Sequence, residues 1–204
     1  MIFINKTAQQ HYDLLIDEGV DVVYDSKALK AYMNQWTGHF FYDELDVEFD
    51  DDILEIGIGT GRIALEVLKY QPRSLTGIDL SKKTINKCKK NLPKSVELFS
   101  LDVFDYHPEK KFDKIYSVLT FIHIEKKFEV LKHLKSMLND DGKIVLALDL
   151  GTKNVLDYGI RSIKTYPNRL EEYVRIGKAL GFEDISYKLI VNNEREVGLI
   201  ITYN

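Results

Sequence analysis

Leu54-Glu55-Ile56-Gly57-Ile58-Gly59-Thr60-Gly61-Arg62 is the stretch on which the reading of this chain turns. An apolar run begins at Ile53, just after Asp50-Asp51-Asp52, and stops at the first glycine. A strand, a glycine turn and a helix start follow one another. Glycines at such a turn allow positive φ and let a ligand approach the backbone closely. The free N–H groups of the next helix start favour an anionic group. Any tight strand-to-helix connection also uses glycine, so the spacing has to discriminate. The dinucleotide fingerprint is G-x-G-x-x-G. Here the pattern is G-x-G-x-G, with Arg62 in the place of the third fingerprint glycine and Glu55 two positions before the first. No Gly-Lys-Ser/Thr follows, which removes the phosphate-binding P-loop.

Working outward, strands are predicted at 53–57, 74–79, 95–100, 112–118 and 142–149, and helices at 61–70, 81–91, 125–138 and 168–180. That alternation predicts an α/β fold with a parallel sheet covered on both faces. Two further strand-like runs, 183–191 and 197–203, flank Asn192-Asn193-Glu194 with no helix between them, and should pair as an antiparallel hairpin. Asp79 closes the second strand, 18 residues after Gly61. A carboxylate there can accept from both hydroxyls of a ribose, or cap the helix starting near Ser81. Asp102 closes the third strand and can accept from an adenine amine, with Val103 and Phe104 beside the ring; a plain turn aspartate is the alternative.

These residues together resemble the class I S-adenosylmethionine-dependent methyltransferases. Leu54–Gly61 looks like that family's first motif, Gly77-Ile-Asp79-Leu-Ser81 its second, and Leu101-Asp102-Val103 its adenine-contacting motif. Phe112-Asp-Lys-Ile-Tyr-Ser117 is similar to its fourth-strand motif, Leu138-Asn-Asp-Asp-Gly142-Lys-Ile to the lead-in of the fifth strand, and Ala179-Leu-Gly-Phe182 to the segment before its terminal hairpin. The resemblance covers about 50–150 well and 168–203 fairly, and barely constrains 1–45 or 151–167. It implies a doubly wound, Rossmann-like, seven-stranded, mostly parallel sheet whose last strand is antiparallel. The cofactor it implies is S-adenosylmethionine, leaving as S-adenosylhomocysteine. Gly57, Gly59, Thr60 and Gly61 would lie at the methionine moiety with Glu55 nearby. Asp79 would take the ribose, Leu80 the adenine face, Asp102 and Val103 the adenine edge, and Ser117 would lie under the methionine end.

The chain has 204 residues and 4 prolines, which suits a single domain: a helical N-terminal cap over 1–49, a cofactor-binding half over 50–150, and a substrate-side insert with the terminal hairpin over 151–204. A net charge of −4 argues against stable nucleic-acid binding. Lys82, Lys83, Lys87, Lys89 and Lys90 cluster in one predicted helix and read as a solvated face. Cys88 is the only cysteine, which excludes an internal disulfide and a thiolate zinc site and fits a reducing compartment. No apolar run is long enough to span a bilayer, and the start does not read as a signal peptide, so a cytoplasmic location is expected.

Methyl transfer from a sulfonium is an in-line displacement, so alignment supplies much of the rate and a base is needed only where the nucleophile must lose a proton. His123, just past the fourth strand, is the base candidate; support of its loop is the plainer role. His123-Ile-Glu125 matches half of a zinc deaminase motif, but the P-C-x-x-C half is missing. Asp46-Val-Glu48-Phe-Asp50 lacks the glycine and glutamate of a calcium loop, so no metal is expected. Helices are plausible at 7–18 and at 26–36, the second capped by Ser26. Aromatic side chains crowd the two unmatched ends. Tyr24, Tyr32, Trp36 and Tyr158, with Arg161 for an acceptor carboxylate, are the candidate acceptor contacts. The expected activity is methylation of a small-molecule acceptor. Methylation of a protein or RNA group, a nicotinamide oxidoreductase disfavoured by the glycine spacing, and a non-catalytic S-adenosylmethionine-binding module stay open. The acceptor atom and the oligomeric state are not legible.

Overall fold

The structure, a computed structural model, describes residues 4–24 and 27–204, without the side chains of 4, 5, 28–30, 32, 38 and 39. The chain begins with β1 (Ile4–Lys6) and α1 (Ala8–Asp17). Thr7 and Gln10 cap α1 reciprocally, each side chain bonding the other's backbone N–H, which fixes where the helix starts. α2 (Lys27–Asn34) and α3 (Gly38–Leu45) follow, α3 without a sequence expectation of its own. The Ser26 cap expected for α2 lies outside the described residues.

The alternating core comes next: β2 (Asp52–Ile56), α4 (Arg62–Val67), β3 (Ser74–Asp79), α5 (Lys82–Asn91), β4 (Glu97–Ser100), β5 (Phe112–Val118), α6 (Lys127–Ser136) and β6 (Leu138–Asp149). Beyond it lie β7 (Val155–Asp157), β8 (Arg161–Lys164), α7 (Leu170–Ala179), β9 (Ile185–Asn192) and β10 (Arg195–Tyr203). The large sheet has the order β4-β3-β2-β5-β6-β10-β9. Its strands run parallel except β10, which is antiparallel to both β6 and β9. This is the doubly wound, Rossmann-like sheet with an antiparallel last strand. Helix 61–70 is shorter than its pattern, because α4 gives way to a 3-10 turn over Leu68–Tyr70 and a left-handed Gln71.

Strand alternation sorts the core into two layers. Leu54, Ile144, Leu146 and Leu148 face α6 and α7, where Val130, Leu131, Tyr173 and Ile176 cover them. Ile53, Tyr116, Val145 and Ala147 face the other side, against Phe41 of α3, Ile63 and Ala64 of α4, and Ile85 of α5. The sheet order reverses at β2, between β3 and β5, so a crevice opens at the carboxyl ends of these strands.

The unmatched ends are not simply helical. β1 pairs parallel with β8, and β8 antiparallel with β7, to make a separate three-stranded sheet joining the first residues to the insert. Strands of three and four residues are too short to show a period, so the sequence left them unread. Among the described residues no helix is long and apolar enough to cross a membrane.

Candidate active site

Three positive φ values shape the glycine turn: +72° at Gly57, +59° at Gly59 and +98° at Gly61. Each glycine has its own reason. A Cβ on Gly57 would stand 2.1 Å from Thr120 Oγ1, so the turn packs directly on the segment after β5. A Cβ on Gly61, which caps α4, would meet Leu92 at 2.9 Å. At Gly59 it would meet nothing within 4 Å; this is the point where the backbone is open to a ligand.

Asp79, at the end of β3, holds that turn. Its Oδ2 accepts from Gly59 N–H at 3.1 Å and its Oδ1 from Ser81 N–H at 2.8 Å. Burial raises its pKa, against the pull of those two N–H groups. Both anchoring bonds come from backbone, which leaves other lone pairs of the carboxylate for ribose hydroxyls. Asp102 accepts from Phe104 N–H at 3.0 Å and starts a short 3-10 turn over Val103–Asp105. Leu80, 40% exposed, lines the same cavity and offers it an apolar surface. Glu55 is buried below the turn, where Tyr116 Oη donates to its Oε2 at 2.8 Å. Burial pushes its carboxyl up to about 8, with Tyr116 and Arg62 opposing and Asp79 adding to the rise.

All of this lines one cavity of about 440 Å³, together with residues of the cap. Glu55, Gly57, Gly59, Thr60, Asp79, Leu80, Asp102, Val103 and His123 are all in its wall. Its wall carries apolar residues and a carboxylate at 80 and 101–104, a ribose-suited carboxylate at Asp79, and an open glycine at Gly59. S-adenosylmethionine fits that arrangement.

The cap closes over it through α1. Ser81 Oγ, at the start of α5, donates to Asp13 at 2.6 Å, and Lys83 Nζ donates to Asp17 at 2.7 Å. Lys87 reaches Asp21 at 3.1 Å, and Asn91 links Asp21 to the Thr60 carbonyl of the glycine turn. Part of the lysine cluster is thus the docking face for α1, not only a solvated surface. Docking brings Tyr12 into the cavity, its hydroxyl 3.0 Å from His123 Nε2. His123 lies in a 3-10 turn over Phe121–His123, and its Nδ1 is buried with no hydrogen-bond partner. Burial, with His11 and Lys127 nearby, lowers its pKa to about 4, so the ring is neutral. The segment leading there is strained: Leu119, also in the wall, sits at φ +59°.

Several expected positions are elsewhere. Gly61 and Ser117 are not in the wall; Ser117 Oγ instead donates to the Ile56 carbonyl at 2.8 Å and braces β2. Tyr24 is 70% exposed, away from the cavity. The Trp36 ring rests on Gly198 of β10, where an added Cβ would stand 3.0 Å from Cε3. Tyr158 stacks on His11 at 4.5 Å. Arg161 is buried and bidentate on Glu18, with Nε donating to His11 Nδ1 at 3.2 Å, so its guanidinium locks α1 to β8 and is not presented to an acceptor. The side chain of Tyr32 lies outside the described residues. Tyr12, Met33 of α2, Arg62 and Thr120 line the cavity without having been singled out. One signal could have found Tyr12: the acids at 13, 17 and 21 recur every fourth residue, as if facing a basic partner helix.

A family model described as a methyltransferase domain matches residues 53–142. Malonyl-[acyl-carrier protein] O-methyltransferase 1 of Ilyobacter polytropus is 30% identical over 149 residues, 70% of this chain and 55% of that protein. The same organism's malonyl-[acyl-carrier protein] O-methyltransferase 2 is 28% identical over 85% of this chain and 68% of its own length. The chain thus spans about half to two thirds of these relatives. Its fold is that of a DhpI complex with S-adenosylhomocysteine (TM-score 0.73, 17% identity, 96% of this chain and 94% of that one). It is also that of the Synechocystis magnesium protoporphyrin IX methyltransferase with bound S-adenosylmethionine (TM-score 0.69, 12% identity, 96% and 94%). With the glycine turn, the strand-end carboxylates and the sheet order in place, these matches identify residues 53–142 as a methyltransferase domain, and the chain shares the fold of S-adenosylmethionine-dependent methyltransferases.

Proposed function

We propose that the chain methylates an oxygen of a small, protic acceptor, with His123 as the group that receives the acceptor's proton. The observation that carries this reading is an imidazole in the cavity wall, just past the end of β5, under a docked helix, where burial favours its neutral form. The cofactor supplies an activated methyl group on a sulfonium. The protein's part is to align the acceptor, exclude water and take the proton. A hydroxyl oxygen becomes strongly acidic as its bond to the methyl carbon forms. An imidazole with a pKa of about 4 is basic enough for that proton, although too weak to ionise the acceptor beforehand. Charge is conserved within the site: the sulfonium's positive charge is lost as the imidazolium's appears. The relatives named as O-methyltransferases support oxygen as the methylated atom; a malonyl carboxylate carries no proton at neutral pH, so the choice of a protic hydroxyl rests on the imidazole in the wall and not on them. The docking of α1 over the cavity supports a small one.

The test is a coupled assay for S-adenosylhomocysteine release across hydroxyl, amine and carboxylic acid acceptors. Turnover of hydroxyl compounds is expected, with kcat reduced by roughly 10²-fold in His123→Ala. Turnover restricted to amines, or indifferent to His123→Ala, would refute the reading.

A further inference from the structure

The cap holds a group that the proposed chemistry has not yet used. Tyr12 comes from α1, far in sequence from the glycine turn and from β5, yet its hydroxyl is 3.0 Å from His123 Nε2, the rings nearly perpendicular at 86° with centroids 5.5 Å apart. Both residues line the cavity, and Tyr12 keeps 36% of its surface open. Phenol is the better donor and imidazole nitrogen the better acceptor, so the proton between them belongs to Tyr12. His123 then carries its own proton on Nδ1, the atom without a partner. In that arrangement Nε2 is already occupied. Tyr12 lines the cavity, and its oxygen, having donated its hydrogen to Nε2, keeps the lone pairs with which to accept from a hydrogen donor bound there.

The geometry points to Tyr12 as a catalytic residue: its oxygen touches the acceptor and relays the acceptor's proton to His123 Nε2. This rests on the proposed function and deepens it, because it names which atom meets the substrate. The step balances. The acceptor oxygen bonds to the methyl carbon and the carbon–sulfur bond breaks, its electron pair staying on sulfur. The acceptor's proton moves to Tyr12 Oη as the Tyr12 proton moves to Nε2. The products are methylated acceptor, neutral thioether, intact phenol and imidazolium. The two transfers must be concerted, since burial and the nearby carboxylates of Asp79 and Asp149 oppose any phenolate at Tyr12. The same geometry makes the site selective. An acceptor already ionised has no proton to give, and would meet Tyr12 with its own hydrogen committed to His123. The cap becomes part of the chemistry, because the anchors Asp13, Asp17 and Glu18 on the same helix segment hold the phenol in place.

Two measurements test this. In the wild-type protein with S-adenosylhomocysteine bound, ¹⁵N NMR of the His123 ring should show the neutral Nδ1–H tautomer, and Tyr12→Phe should shift the population toward Nε2–H. In turnover, Tyr12→Phe should lower kcat for hydroxyl acceptors by about tenfold or more. Its S-adenosylhomocysteine affinity and melting temperature should stay within twofold and within a few degrees of wild type, by analogy with other conservative exposed changes. An Nε2–H tautomer in wild type overturns the relay at once, since Tyr12 would then accept from the ring. A shifted tautomer with unchanged kcat overturns it too, leaving only a structural hydrogen bond. If His123 is coupled to Tyr12 but no protic acceptor turns over, it is the proposed function that fails, and the relay falls with it.

Discussion

Asp79 reaches its two partners, Ser81 and Gly59, across 2 and 20 residues of chain, and Asp102 reaches Phe104 across 2. On the other side of the same cavity, Ser81 meets Asp13 across 68 residues, Arg161 meets His11 across 150 and Glu18 across 143. The cofactor side is built from backbone N–H groups at strand ends and needs little beyond its own strands. The cap side is built from side chains of distant segments and exists only when the chain has folded back on itself. A wall made locally is rigid and general, whereas a wall assembled from distant side chains can be changed without touching the scaffold. Variation in acceptor choice belongs on that second wall.

Replacing Asp79 probes the first wall most severely. Asp79→Ala removes the carboxylate offered to the ribose and frees two backbone donors, and should weaken S-adenosylhomocysteine by on the order of 2–4 kcal/mol in calorimetry. Little change there would show that the local wall does not bind the cofactor as described. Gly57→Ala and Gly59→Ala then separate packing from access. At Gly57 the added methyl collides with Thr120 at positive φ, so stability should fall by about 1–3 kcal/mol in urea unfolding. At Gly59 the methyl enters open space and only the backbone strain of roughly 1 kcal/mol applies, while cofactor affinity drops. Equal stability losses at the two positions would contradict the distinct roles assigned to them.

Glu55 gives the first wall a pH signature. Its folded pKa of about 8 lies above the ordinary 4.5, so the native protein keeps a proton that the unfolded chain releases. Stability should therefore fall as pH rises between those values, with a slope of up to about 1.4 kcal/mol per unit, and level off above them. Glu55→Gln can still receive the Tyr116 hydroxyl and should flatten that slope in unfolding experiments across the window. A slope that survives the substitution belongs to another group.

The second wall should respond more mildly. Arg161→Met removes the lock between α1 and β8 while keeping bulk, and should speed proteolytic cleavage within 4–24 without altering the core transition. Lys83→Ala breaks an ion pair whose partners are 49% and 51% exposed, and should change stability by less than about 0.5 kcal/mol. If Lys83→Ala releases the cap as readily as Arg161→Met, the buried guanidinium is not the main fastening.

The same contrast explains what could be read in advance. The strands and helices between 52 and 149 announce themselves through apolar runs and breakers, and the residues at their ends fall in the cavity because sheet order fixes where strand ends meet. Ser117 was misplaced for a reason internal to that logic: a strand end is near the site, but the hydroxyl had a closer acceptor in the Ile56 carbonyl. The segment of Arg161 and Tyr158 carries no pattern that separates a substrate contact from a structural one, and their partners, Glu18 and His11, lie at the other end of the chain. No motif in the sequence distinguishes Tyr12 from Tyr24, both tyrosines in the same unmatched stretch. Their difference, one facing the cavity and one 70% exposed, depends on how α1 docks.

The sequence by itself determined the alternating strands and helices of a parallel sheet, the terminal antiparallel hairpin, the glycine turn and the carboxylates at 55, 79 and 102, while the seven-stranded topology came from the family resemblance of those motifs. The local features depend on periodicity and on conformations available to individual residues, which act over a few positions. Only the tertiary structure decided that β1 joins β7 and β8, that Arg161 fastens the cap, and that Tyr12 meets His123. Those contacts depend on side-chain complementarity between segments more than a hundred residues apart, and no local pattern encodes which distant partner a buried arginine or a phenol will find.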